Sequence, residues 1–127
     1  PEIKLGVFAP AASCLLPELI GPQRAFDLLI SGRSTSGTEA AALGIAAATS
    51  DDPQQAALEY FLQHLRPRSA QSLRYAVRAA RHELAGRIRA RLAAVERLYL
   101  DELMHTHDAL EGLTAFIEKR TARWQHR

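Results

Sequence analysis

The sequence predicts a mainly α chain, and three observations predict it. Helix-start residues (Ser, Asp or Pro) repeatedly precede apolar residues spaced three and four apart. Glycine or proline then closes most of these stretches. The first half also lacks a series of alternating strands from which an independent α/β fold could be built.

Residues Pro1 to Ala12 carry Ile3, Leu5, Val7 and Phe8, an apolar series too short and punctuated for a long helix. A loop or extended segment turning near Gly6 and Pro10 is expected there. Ser13 is placed to cap a short apolar helix running through Ile20, and Gly21-Pro22 ends it and starts the next. That second helix, about Pro22 to Ile30, sets Ala25 or Phe26 near Leu29 and Ile30 on a buried face, and Gly32 stops it. Ser36 with Glu39 three residues later is a capping-box pattern opening an alanine-rich helix that Gly44 closes. Ile45 to Ala48 is expected as a short extended segment.

Asp52-Pro53 supplies a side-chain acceptor followed by proline at the first helical position, predicting a helix to about Leu65 that Arg66-Pro67 interrupts. Another runs from near Ser69 to about Arg81 with Leu73, Ala76, Val77 and Ala80 on its packed stripe. From about Ala85 to Met104, Ile88, Leu92, Val95, Leu98 or Tyr99, and Leu103 form one stripe, with Gly86 marking a bend or separation from the helix before. The last helix is expected to start at Asp108 with Glu111 at its third position, burying Leu113, Phe116 and Ile117 before Lys119 and Arg120. These amphipathic helices predict a helical packing unit in the second half, suited to an oligomer interface.

A chain of 127 residues with 47% hydrophobic content suits one small domain. No apolar run approaches the roughly 18 residues of a membrane span, and Glu2 and Lys4 do not fit a signal peptide. A start on Pro-Glu-Ile without methionine points to a piece of a longer protein. Cys14 is the single cysteine, which excludes an intrachain disulfide and a cysteine-based zinc site. It reads as a small buried hydrophobe, compatible with a reducing compartment, and a cytoplasmic location is expected.

The net charge of +2 is unevenly spread. Nine arginines between Arg66 and Arg97 face only Glu83 and Glu96, a stretch that could attract nucleic acid or a phosphorylated cofactor. It lacks aromatic interleaving or a recognition module, so a solvated face with intersubunit salt bridges is the reading favoured over nucleic acid. His105 and His107 supply two plausible metal ligands where several are needed, and read as surface or capping residues. Glu2 is distinctive among the carboxylates because it lies in an apolar segment, where burial would raise its proton affinity. Phe116 with Lys119 and Arg120 offers stacking plus phosphate attraction for a nucleotide-like ligand, or else an ordinary core residue beside a helix end. No phosphate-binding glycine loop and no G-x-S-x-G elbow is present.

Several segments together resemble the enoyl-CoA hydratase (crotonase) family. Pro1-Glu2-Ile3-Lys4-Leu5-Gly6 is similar to its P-E-I-x-L-G segment, and Gly32-Arg33 with Ser36, Glu39, Ala40, Leu43 and Gly44 resembles its G-R…A-x-E-A…G-L region. Asp108, Glu111-Gly112, Ala115-Phe116 and Glu118-Lys119-Arg120 resemble its closing D-x-x-E-G-x-x-A-F-x-E-K-R signature. Gly6 to Ser13, Tyr60-Phe61 through Ser69-Ala70, and Leu98 to Met104 are similar to the branch that hydrates cyclohexa-1,5-diene-1-carbonyl-CoA. Pro10-Ala11-Ala12-Ser13-Cys14 departs from the glycine-rich segment common in the family, which implies a reshaped acyl pocket at Pro10 and Ala11.

The resemblance implies the C-terminal helical portion of the crotonase fold, with a short loop or extended remnant of the α/β core at its start. Residues 1–50 would end that core with short helices, and residues 51–127 would form a helical region for oligomerisation and CoA contact. Glu2 would be the second of two catalytic glutamates, donating or relaying a proton at the α carbon as water adds to an unsaturated acyl-CoA. The first glutamate and the two backbone N–H donors that the family aims at the thioester oxygen lie outside this chain, so the piece alone is expected to be inactive. Phe116 and Lys119 would approach the adenine or phosphate portion of CoA, in a homotrimer or dimer of trimers. CoA enters as part of the substrate, with no separate cofactor or metal. General enoyl-CoA hydration or isomerisation, and a non-catalytic assembly piece, are the alternatives.

Overall fold

A computed structural model describes residues Pro1 to Arg127. A 3-10 turn over Glu2–Leu5 leads into α1 (Pro10–Ile20), α2 (Pro22–Ser31), α3 (Gly37–Leu43) and α4 (Pro53–Tyr60). Then come α5 (Ala70–Ala80), α6 (Leu84–Arg97) and α7 (His107–Ile117), with π turns at Phe61–Leu65 and Leu98–Glu102 continuing α4 and α6. There is no β-strand, and no helix is long and apolar enough to cross a membrane.

The opening segment is a helical turn where an extended piece was expected. Gly6 takes φ 75°, which brings its N–H onto the Ile3 carbonyl at 3.2 Å, while Val7 donates to Glu2 at 3.4 Å. Helix α1 starts at Pro10, before the expected cap at Ser13, whose N–H already donates to the Ala9 carbonyl at 2.9 Å. Proline fits there because the first helical position has no N–H to satisfy. Ile45 to Ala48 is a turn: the N–H groups of Ile45 and Ala46 both donate to the Ala40 carbonyl, at 2.9 and 3.2 Å, so no ladder forms.

Other starts follow the sequence. Asp52 accepts from the Gln55 N–H at 3.0 Å, and Ser69 from that of Ser72 at 3.4 Å. Ser36 accepts from Glu39 at 3.1 Å, but the Glu39 carboxylate turns to Arg33 at 2.8 Å and completes an ion pair in place of the capping box. Thr106 caps α7 by accepting from Ala109 at 3.3 Å, which frees Asp108 for another task.

Helix α1 packs between α2 and α6, and α7 packs on the opening turn. Cys14 and Ala25 are fully buried on α1 and α2, with Val7 and Ile20 beside them in the small core. Glu18 ties α1 to α6 through Arg87 at 2.9 Å and Arg91 at 3.5 Å, and Phe8 meets Tyr99 edge-on with ring centres 5.3 Å apart. Gly86 falls inside the first turn of an unbroken α6, and the separation from α5 lies at residues 81–83 instead. Nothing stands within 4 Å of where a Cβ at Gly86 would be. Gly86→Ala is therefore expected to stabilise the fold by about 0.5–1 kcal/mol by removing unfolded-chain entropy. A urea midpoint that stays put or falls would contradict this.

Only eight of the 127 residues are buried, so large apolar side chains remain outside. On α5, Leu73 is half-buried while Ala76, Val77 and Ala80 are exposed, and on α7 Phe116 and Ile117 are 64% and 78% exposed. The expected burial of these faces does not occur within the chain. Periodicity marks a face that favours an apolar neighbour without supplying one. Helix α7 turns its small residues inward: Ala109, Gly112 and Ala115 are buried, and at Gly112 the opening turn comes too close for any side chain.

Candidate active site

Glu2 sits at the start of the 3-10 turn and borders a cleft of about 180 Å³. The walls are largely apolar, with Ile3, Leu16, Leu28 and Leu29, and Arg33 and Thr35 supply polar edges. Ala9 and Ala12 line the cleft, whereas Pro10 and Ala11 are half-buried and exposed on the first turn of α1 and are not among its lining residues. A wider groove of about 650 Å³ runs along α5, but residues 70–78 of that one helix form it and it holds no carboxylate. The smaller cleft is the chemically equipped one.

The Glu2 side chain is 47% exposed, which overturns the expectation that burial raises its proton affinity. Its own backbone N–H hydrogen-bonds the carboxylate and holds its pKa below the ordinary value. Across the cleft, Arg33 is held by Asp27 at 2.7 Å and Glu39 at 2.8 Å, and hydrogen bonds to Glu39 and Asp27 push its pKa up. Arg33 thus lines the site with its charge already matched. It belongs to the G-R motif, and it reaches the cleft just past the end of α2, whose Leu28 and Leu29 line the same wall.

The closing signature forms a clasp. Asp108 accepts the N–H groups of Gln125 and His126, both at 2.7 Å, and its pKa is lowered first by the Gln125 N–H. Glu111 takes Arg120 on both oxygens, at 2.6 and 2.9 Å, and the Arg123 N–H at 2.8 Å. Arg120 first, and then that N–H, bring the Glu111 pKa down to about 2. The C-terminal segment is thereby laid back against α7, and Trp124 comes to rest by Gly6 and Gly112.

Phe116 and Arg120 border a separate concavity of about 320 Å³, which also touches Leu5 of the opening turn. Lys119 is exposed, outside that lining, with a left-handed backbone at φ 54°. The structure therefore brings Phe116 and Glu2 to two hollows flanking one turn, and does not gather Lys119 with them. His107 lies 3.1 Å from Asp108, His105 is exposed, and no three metal-ligating side chains converge.

An acidic side chain at the rim of a largely apolar cleft gives this all-helical scaffold a candidate acid-base group. The chain belongs to the enoyl-CoA hydratase/isomerase family, whose pattern it matches over residues 1–127. Along its whole length it is 56% identical to cyclohexa-1,5-dienecarbonyl-CoA hydratase of Thauera aromatica, covering 49% of that protein. It is 32% identical to the probable enoyl-CoA hydratase echA8 of Mycobacterium leprae, again over all of this chain and 50% of the other. A solved carnitinyl-CoA dehydratase from Mycobacterium avium 104 superposes with a TM-score of 0.81 at 26% identity, covering 100% of this chain and 51% of that one. The chain thus spans about half the length of the relatives it matches.

Proposed function

We propose that this chain is the proton-transfer half of an acyl-CoA hydratase whose substrate is a cyclic dienoyl thioester, cyclohexa-1,5-diene-1-carbonyl-CoA. The observation that carries the reading is a glutamate on a tightly closed turn at the mouth of a small apolar cleft, in a chain 56% identical to a relative named for that reaction. Glu2 is held toward its carboxylate form by the hydrogen bond from its own backbone N–H, which favours the relay over the resting donor. It takes a proton from water and delivers it to the carbon next to the thioester, while the hydroxyl adds elsewhere on the conjugated system. Ile3, Leu16, Leu28 and Leu29 would exclude water from the ring, and the tethered Arg33 would border the cleft without needing a substrate counter-charge.

The same reading assigns Phe116 and Lys119 to the nucleotide end of CoA, and Pro10 and Ala11 to shaping the first turn of α1 behind the cleft. Residues 51–127 would serve assembly into a trimer or dimer of trimers, in keeping with the apolar side chains left exposed on α5 and α7. The test is turnover by the full-length protein. Consumption of the cyclic dienoyl thioester with a higher kcat/KM than a short linear enoyl thioester is the expected result. Preference for the linear thioester would make it a general enoyl-CoA hydratase, and double-bond migration without water uptake an isomerase. No turnover of either would leave an assembly role.

A further inference from the structure

Three glycines surround the turn that carries Glu2, and two of them meet the same indole. A Cβ on Gly112 would overlap the carbonyl oxygen of Leu5 and stand 3.0 Å from Trp124. A Cβ on Gly6 would lie 2.7 Å from the Asp108 carbonyl and 2.9 Å from Trp124, and one on Gly32 would lie 2.6 Å from Ile3. Contacts this close seat the turn directly on α7, with no space for a side chain between them. Trp124 in turn is held by the bonds that Asp108 and Glu111 make to residues 123–126.

We propose that Gly112 and Trp124 are positioning residues for Glu2: the bare backbone of α7 seats the Leu5 carbonyl, the indole closes over Gly6, and together they set where the Glu2 carboxylate stands in its cleft. The proposal rests on the assignment of proton transfer to Glu2. A methyl group at position 112 must push the turn outward, and Glu2 lies three residues up the same turn from Leu5. Displacements of about 1 Å at a reacting group cost on the order of 100-fold in rate.

The experiment is a double-mutant cycle in the full-length protein, with the cyclic dienoyl thioester as substrate. Gly112→Ala is expected to lower kcat about 10- to 100-fold at saturating substrate, because the turn that carries Glu2 is displaced and the proton-transfer step is misplaced. Gly112 also lines the Phe116 hollow, so KM can rise as well and kcat carries the test. In a Glu2→Gln background the same change should lower kcat by less than about twofold, since the group it positions is already gone. Equal losses in both backgrounds, or no loss from Gly112→Ala, would overturn the proposal while leaving Glu2 in its role. An E2Q protein of undiminished activity would instead remove the Glu2 assignment, and the proposal with it. If Gly112→Ala fails to fold by circular dichroism, Trp124→Phe is read through the same cycle, with a smaller loss expected in the wild-type background only.

Discussion

Replacing Glu2 by Gln in the full-length protein is expected to lower kcat by about 10² to 10⁴-fold, the usual worth of a positioned acid-base group. The amide keeps the size and shape of the side chain but neither takes a proton from water nor delivers one. Glu2 lies at the turn's first residue, beside the cleft rather than at the Phe116 hollow, so substrate affinity should change little. KM within about threefold of the original is the accompanying expectation, because only an interaction made during the chemical step is lost. Steady-state kinetics on the cyclic dienoyl thioester measures both. A raised KM with kcat intact would make Glu2 a binding group and remove its proton-transfer role.

Acid should unfold this chain through its clasp. The Glu111 pKa stands at about 2 in the folded chain against an ordinary 4.5, chiefly because of Arg120. A carboxylate depressed on folding binds fewer protons in the native state than in the unfolded one. Its stabilisation is therefore complete above about pH 4.5 and is lost as pH falls toward 2. Asp108, lowered from 3.8 by the Gln125 N–H, adds a loss of the same sign. Glu111→Gln can still accept from Arg123 through its amide oxygen but no longer pairs with the Arg120 charge. Its Tm at neutral pH should be lower than wild type and should fall less between pH 4.5 and 2. An acid limb parallel to that of the wild type would show that the clasp does not carry the pH dependence.

Both expectations depend on residues whose side-chain type was legible but whose partners were not. Asp108 and Glu111 read as a helix start because acids favour that place. In the structure Thr106 caps the helix, and the two carboxylates instead receive a returning segment 9 to 18 residues downstream. Glu39 read as half of a capping box and is an Arg33 partner. A short-range pattern names a hydrogen-bonding capacity, and the chain that arrives to use it is a matter of tertiary structure.

Apolar faces divide the same way. On α7 the large residues Phe116 and Ile117 carried the helical stripe, and the small ones, Ala109, Gly112 and Ala115, are the buried set. Close approach of two backbones selects for missing side chains, and a periodicity that weighs only apolar bulk misses it. The Gly6, Gly32 and Gly112 contacts could be found in the sequence only as glycines beside motif residues.

The sequence by itself determined the helical class, the starts at Asp52-Pro53, Ser36 and Ser69, the stops at Gly21, Gly32 and Gly44, and the motif residues that point to the family. Each of these rests on local φ preferences and on donors within a few residues. Only the tertiary structure decided that the opening segment is a 3-10 turn, that Glu2 is half exposed beside a cleft with Arg33 across it, and that Trp124 closes over the turn. Those depend on segments distant in sequence meeting in space, where excluded volume and the pairing of charges, not propensity, choose the arrangement.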